Sequence, residues 1–257
     1  MNLKQCVGII GAAMVLAASG ARCSLPDEIQ VYDDSINKVG EWGLELHLNS
    51  TPSGQLPSYP GEVGSMHGQR STVEVSYGLT PALEAGLYLP VVRNAGGDTQ
   101  FAGPSFRLKW IPHAAPKGGL FYGLNGEITA FRTQYAEEQN ILSLQPIVGY
   151  RTENWLFITN PIVEYALRAG YRENGPEFMP SFKLSRTLTE GFASGLEYYV
   201  DFGRLFNGLE GGNQSHTLYW VMDVDRAPWV FNFGVGRGFM GDADHWTIKG
   251  IFEIPFK

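Results

Sequence analysis

Apolar residues recur at every second position in about twelve separate stretches of this chain. The last runs from Trp246 to Phe256, with Trp246, Ile248, Phe252, Ile254 and Phe256 on one face and Thr247, Lys249, Ile251 and Glu253 on the other. A period of two is the signature of a β-strand, whose side chains point alternately to opposite faces. The same pattern opens the alternating region: Trp42, Leu44, Leu46 and Leu48 oppose Glu45, His47 and Asn49. It returns in Phe106, Leu108 and Trp110 against Ser105, Arg107 and Lys109, and in Leu218, Trp220, Met222 and Val224 against Asp223 and Asp225. Repeated this often, it predicts an all-β fold: an antiparallel transmembrane β-barrel of about twelve strands, lipid outside and a polar lumen inside. The terminal strand must then pair with the strand Trp42 to Asn49 to close it.

The connections alternate in length. Short turns fall near Thr80-Pro81, Pro112-Lys117, Thr152-Asn154, Leu188-Glu190 and Arg226-Pro228. Longer polar loops fall near Pro52-Gly68, Arg93-Gln100, Thr133-Asn140, Ala169-Pro176, Leu205-Gln214 and Met240-Asp244. Strict interleaving matches periplasmic turns and extracellular loops, with both termini periplasmic. Large aromatics follow the same geography. Trp42, Tyr77, Trp110, Tyr150, Trp155, Phe192, Trp229 and Phe256 lie on the apolar face near a short turn or a terminus, as an interfacial girdle would. Phe178, Phe202, Trp220 and Trp246 are placed in the opposite girdle. Pro104, Pro146, Pro161 and Pro180 fall inside strands, on the outward face. A closed barrel has no edge, so each is expected to bend or bulge its strand in the extracellular half.

Composition adds bounds. Hydrophobic residues make up 44% of the chain, an ordinary figure that a barrel shares with soluble proteins because only half of each strand meets lipid. The N-terminus has a basic Lys4, an apolar run from Val7 to Ala18 too short to span a bilayer, and small residues after it. Residues 1–23 are expected to be a cleavable signal peptide, cut after Ala21 or after Cys23. Residues 24–40 follow as an acidic periplasmic lead or lumen plug, and 41–257 as the barrel. Losing Lys4 and Arg22 with the signal takes the formal charge from -7 to about -9 and argues against nucleic acid as a partner. Cys6 and Cys23 are the only cysteines, so no disulfide framework is expected.

By parity the inward face carries Glu45, His47, Glu74, Glu84, Arg107, Lys109, Glu127, Arg151, Glu164, Arg168, Lys183, Glu197, Asp201, Asp223, Lys249 and Glu253. Charges inside a barrel pair across the lumen or line a wet pore, so these are the lumen-lining candidates. Catalysis is not expected. Ser215 and His216 are neighbours on one strand and point to opposite faces, and no Gly-x-Ser-x-Gly occurs. The five histidines show no metal-ligand spacing, and neither metal nor cofactor is expected.

The chain's end resembles the C-terminal signal read by the outer-membrane assembly machinery. Lys249, Ile254 and Phe256 fit it, Gly250 stands one place early and Lys257 follows the aromatic. The hairpin from Tyr77 to Pro90 resembles one in outer-membrane proteins of the MetA-pathway of phenol degradation family, as do Leu25 to Asp34 and Gly43 to His47. That resemblance implies a bacterial outer-membrane barrel assisting passage of small organic or aromatic compounds, and it carries over no catalytic residue. The expected partners are outer-membrane lipid, the assembly machinery and a small solute. The leading expectation is passive passage of a small solute, apolar or aromatic. A closed barrel with a structural or adhesive role and an outer-membrane lipid-modifying enzyme are the alternatives.

Overall fold

The computed structural model describes residues 28–206, 214–227 and 229–254. Twelve strands form one closed antiparallel sheet: β1 (Trp42–Ser53), β2 (Gly68–Thr80), β3 (Leu83–Arg93), β4 (Thr99–Phe101 and Ser105–His113), β5 (Gly119–Ala130), β6 (Asn140–Arg151), β7 (Trp155–Asn160 and Val163–Ala166), β8 (Glu177–Phe178 and Ser181–Thr189), β9 (Phe192–Asp201), β10 (Ser215–Arg226), β11 (Trp229–Met240) and β12 (Trp246–Glu253). Each strand pairs with the next, and β12 returns to β1 with Glu253 opposite Glu45 and Phe252 opposite Leu46. No helix among the described residues is long and apolar enough to cross a membrane, so any crossing is made by strands. The signal-peptide expectation for residues 1–23 lies outside the described residues, as does Phe256.

The burial pattern is that of a soluble protein turned inside out. Along β2, Arg70, Thr72, Glu74 and Ser76 are buried while Val73 is 38% exposed. On β4, Ser105, Arg107 and Lys109 are buried between exposed Phe106, Leu108 and Trp110. A continuous apolar outer wall of this kind is stable only against hydrocarbon, and closure leaves no unpaired backbone edge facing it. The barrel is of the bacterial outer-membrane type. At the short-turn end the outward aromatics include Trp42 against Tyr77 (ring centroids 4.7 Å apart) and Trp155 beneath the Arg186 guanidinium. At the other end Phe178 stacks on Phe202, and Tyr198 contacts Phe182, His216 and Phe239. Trp220 departs from its expected girdle: it sits mid-strand on β10, opposite Leu196 and Val235.

Three of the four strand prolines mark breaks. β4 breaks at 102–104, β7 at 161–162 and β8 at 179–180. Gly103 has φ +126°, and a Cβ there would collide with the Ala130 carbonyl, so only glycine fits this bulge. Pro146 does not break β6, contrary to expectation. The β6–β7 register is the same on both sides of the β7 gap, which puts Pro146 opposite Pro161, and the β7–β8 register likewise puts Pro161 opposite Pro180. Prolines that face one another share an interruption instead of each making its own. Asn160 Nδ2 donates to the Pro146 carbonyl at 3.4 Å and restores one bond in the gap. Pro180 is buried, not outward. The loop expected at 93–100 is shorter, 94–98, because Thr99–Phe101 folds back onto β3 through a turn in which the Asp98 amide donates to Asn94 Oδ1 at 2.9 Å.

Residues 28–37 lie inside the barrel before β1 begins, and 38–41 are exposed at its short-turn end. The Tyr32 amide donates to Asn160 Oδ1 at 2.8 Å, and the Tyr32 and Tyr88 hydroxyls are 3.0 Å apart. Val31 and Tyr32 pack with Ile111, Phe121, Ile147 and Ile158 in an apolar core within the lumen. At the short-turn end Val39 bridges to Gly78 as a parallel pair. A Cβ on Gly78 would collide with the Lys38 carbonyl, so this close approach requires glycine.

Candidate functional site: two halves of the lumen

The half of the lumen nearer the short turns is filled by ion pairs and by the N-terminal segment up to Asn37. Arg107 on β4 binds Glu74 on β2 through Nε (2.9 Å) and Nη2, and Glu84 on β3 through Nη2 (2.7 Å). Glu84 also accepts the Asn37 amide at 2.6 Å. His47 Nε2 lies 3.2 Å from Glu74 and 3.6 Å from Glu45. Across the lumen, Lys249 donates to Glu197 at 2.5 Å and to the Ile29 carbonyl at 2.8 Å. Lys183 bridges Glu197 (3.2 Å) and Asp223 (2.8 Å). Arg151 holds Asp34 at 2.8 Å, and Lys109 donates to the Ser35 carbonyl at 2.6 Å. Buried charges persist only when paired and hydrogen-bonded, and here cations alternate with carboxylates. The same contacts fasten the N-terminal segment to the wall at Ile29, Asp34, Ser35 and Asn37.

The half nearer the long loops is different. A cavity of about 540 Å³ lies there, with Ile29, Gln30 and Tyr32 of the N-terminal segment in its lining. Its carboxylates are Glu28 from that segment, Glu127, Glu164, Glu177 and Asp201 from the strands, and Glu62, Glu137, Glu138, Asp242 and Asp244 from the loops. Among the described lining residues the only lysine or arginine is Arg204, 3.8 Å from Glu177. Tyr32, Tyr59, Phe131, Tyr135, Tyr171, Tyr199 and Tyr219 complete an aromatic wall. Register sets part of this array: Glu127 is opposite Ser143, Ser143 opposite Glu164, and Glu164 opposite Glu177, one inward row across β5 to β8. The loops brace the mouth. The Val63 amide donates to the Gln134 carbonyl at 2.9 Å, Gln55 Nε2 donates to the Ala243 carbonyl at 2.8 Å, and Ser65 bonds to Asp244. Burial raises the Asp244 carboxyl above its usual range.

The inward candidates divide between the halves. Glu45, His47, Glu74, Glu84, Arg107, Lys109, Arg151, Lys183, Glu197, Asp223 and Lys249 lie in the paired half, and Glu127, Glu164 and Asp201 line the cavity. Glu253 is exposed at the end of β12. Arg168 is misplaced by the sequence reading. It lies beyond β7, exposed, over the Tyr171 ring and 3.3 Å from the Glu137 carbonyl, because the strand ends at Ala166 and parity ends with it. The sequence reading also missed the apolar lumen core. Its signal was apolar residues on both faces of one strand end: Leu120-Phe121-Tyr122, Ile147-Val148 and Leu156-Phe157-Ile158.

Chemistry beyond pairing is sparse. Glu45, His47 and Glu74 bring ligand-type atoms within 4.8 Å of one another, a juxtaposition that sequence spacing did not reveal because Glu74 comes from the neighbouring strand. Arg107 already engages Glu74, so the cluster first serves the ion-pair network. Ser215 lines the cavity, whereas His216 joins the outward aromatic cluster with Nδ1 2.5 Å from the Tyr198 hydroxyl, so the two do not meet. Ser53 and His245 approach at 3.3 Å through Nδ1, the nitrogen that a catalytic triad gives to its carboxylate.

No known family pattern and no characterised protein matches the sequence. Among solved structures, the COG4313 outer membrane channel from Pseudomonas putida F1 is similar with a TM-score of 0.62 at 13% identity, over 89% of this chain and 100% of that one. The NanC porin gives 0.51 at 8% identity, over 84% of this chain and all of that one. The KdgM porin, in complex with disordered oligogalacturonate, gives 0.50 at 8%, again over 84% and 100%. At these identities the likeness is one of fold.

Proposed function

We propose that this barrel allows passive passage of a small solute across the outer membrane, with residues 28–41 as the plug that controls it. The observation that carries the reading is the cavity of about 540 Å³ at the long-loop end, a size suited to a small organic molecule, lying directly above the docked segment. Its aromatic wall supports an organic solute with an apolar or aromatic part. The resemblance of the hairpin from Tyr77 to Pro90 to the MetA-pathway of phenol degradation family supports the same class. The site's chemistry supports a conduit over an enzyme: charges are paired for structure, and the serines and histidines lack a triad's arrangement. The filled half favours the alternative of a closed barrel, and conductance separates the two. In planar bilayers the refolded protein is expected to give small, discrete steps, and Gly78→Val, which displaces the strand-like contact of Val39, to give larger ones. Absence of steps in both would overturn passage and leave the closed barrel.

A further inference from the structure

We propose that Glu45, His47 and Glu74 form a binding site for a divalent transition-metal ion of the zinc type, in the filled half of the lumen. The proposal goes beyond solute passage and does not depend on it.

The strands bring the three side chains together. Glu45 and His47 are two residues apart on β1 and so share its inward face. Register puts Glu74 of β2 directly opposite Glu45. One carboxylate oxygen of each glutamate then approaches the same ring nitrogen: His47 Nε2 lies 3.2 Å from Glu74 Oε2 and 3.6 Å from Glu45 Oε2. The three side chains offer ligand atoms that all lie within 4.8 Å of one another. A tetrahedral ion with bonds of about 2.0–2.2 Å spaces its ligands about 3.3–3.6 Å apart, so both nitrogen–oxygen separations are close to an edge of that polyhedron.

The contacts within the group leave it short of positive charge. His47 Nε2 carries one proton at most, and Glu74 is near enough to accept it, whereas Glu45 at 3.6 Å is beyond a hydrogen bond. Among the described residues no lysine or arginine stands within ion-pair distance of Glu45. Yet Glu45 has a glutamate directly opposite it on each side, Glu74 on β2 and Glu253 on β12. Like charges so placed repel, and an ion between Glu45 and Glu74 relieves the repulsion. Arg107 does not take that place: it bonds Glu74 through Oε1 and leaves Oε2, the oxygen nearest His47, to a metal. The imidazole is an independent pointer. His47 is 1% exposed, and its Nδ1 is buried with no hydrogen-bond partner among the described residues. The partner of one ring nitrogen decides which nitrogen holds the proton, so nothing fixes a proton on Nε2, and that nitrogen can offer its lone pair.

The donor set selects the ion. One imidazole nitrogen, two carboxylate oxygens and a water in the fourth position suit zinc, whereas calcium and magnesium take shells of six or more oxygens. The Glu45 side chain is 22% exposed while those of His47 and Glu74 are buried, so Glu45 is the side from which an ion is reached. The site also touches the anchor of the docked segment, because Arg107 holds both Glu74 and Glu84, and Glu84 accepts the Asn37 amide.

The test titrates zinc, calcium and magnesium ions into the refolded full-length barrel, with Cys6 and Cys23 replaced by serine so that no thiol competes. Calorimetry is expected to show one zinc ion bound at least tenfold more tightly than calcium or magnesium. Glu45→Gln and His47→Gln should each weaken zinc binding at least tenfold, while His216→Gln and His245→Gln leave it unchanged, all four keeping the heat-modifiable gel migration of a folded barrel. Cobalt in the barrel with this site intact supplies a readout that needs no further variant: its visible absorption should have the intensity of a tetrahedral site with nitrogen and oxygen ligands. Absence of zinc binding, equal affinity for calcium, binding that survives Glu45→Gln or His47→Gln in a folded barrel, or an octahedral cobalt spectrum would overturn the proposal.

Discussion

The two halves of the lumen are built from the same strands and the same alternation, yet one is filled and the other holds a cavity. Near the short turns, Glu74 meets Arg107, Glu197 meets Lys249 and Lys183, and the N-terminal segment occupies the remaining space. Near the long loops, Glu127, Glu164, Glu177 and Asp201 share a cavity with a single arginine. The difference teaches that an inward carboxylate in a barrel has no fixed role. Where a neighbouring strand supplies a cation and a plug excludes water, it becomes a structural partner. Where it fronts a cavity, it contributes to the field that an entering solute meets.

That comparison can be broken by mutation. Removing one partner of a buried pair leaves the other uncompensated, so Lys249→Met is expected to cost about 3 kcal/mol, read as a lower urea midpoint for the refolded barrel. Next comes Gly78→Val, whose side chain collides with the Lys38 carbonyl; about 2 kcal/mol is expected, with protease cleavage newly appearing within residues 28–40. Tyr32→Phe removes the hydroxyl contact with Tyr88 and should cost about 1 kcal/mol by the same unfolding measurement. The smallest change is expected in the cavity. Glu164→Gln neutralises one of two carboxylates that stand opposite each other and should shift stability by about 0.5 kcal/mol or less. A loss as large as that of Lys249→Met would mean that the two halves are not different in kind.

The wall was legible in the sequence because closure imposes a period of two on every strand, and nothing tertiary has to be known to see it. The strand breaks were nearly as legible, since Pro104, Pro161 and Pro180 each remove a backbone donor where β4, β7 and β8 divide. Pro146 could not be read the same way, because its harmlessness depends on Pro161 standing opposite, a fact of register. The docked segment was least legible. Ile29, Val31, Tyr32 and Ile36 have no strand or helix period; Val31, Tyr32 and Ile36 pack on Ile111, Phe121, Ile147 and Ile158 from four different strands, and Ile29 packs on Tyr219 and Val221. The candidate site was half visible: parity put Glu127, Glu164 and Asp201 inside, but that they front one cavity came only from how the strands align.

The most direct test of the difference between the halves is the rate at which a thiol placed in each reacts with a small, water-soluble, quaternary-ammonium thiosulfonate. Ser215 lines the cavity and is partly exposed, whereas Ser76 lies buried beside Asn37 of the docked segment. In a folded barrel with Cys23 replaced by serine, Ser215→Cys is expected to react at least a hundredfold faster than Ser76→Cys, and adding Gly78→Val should close most of that gap. Equal rates at the two positions, or faster reaction at Ser76→Cys in the otherwise unaltered barrel, would contradict an open half above a filled one.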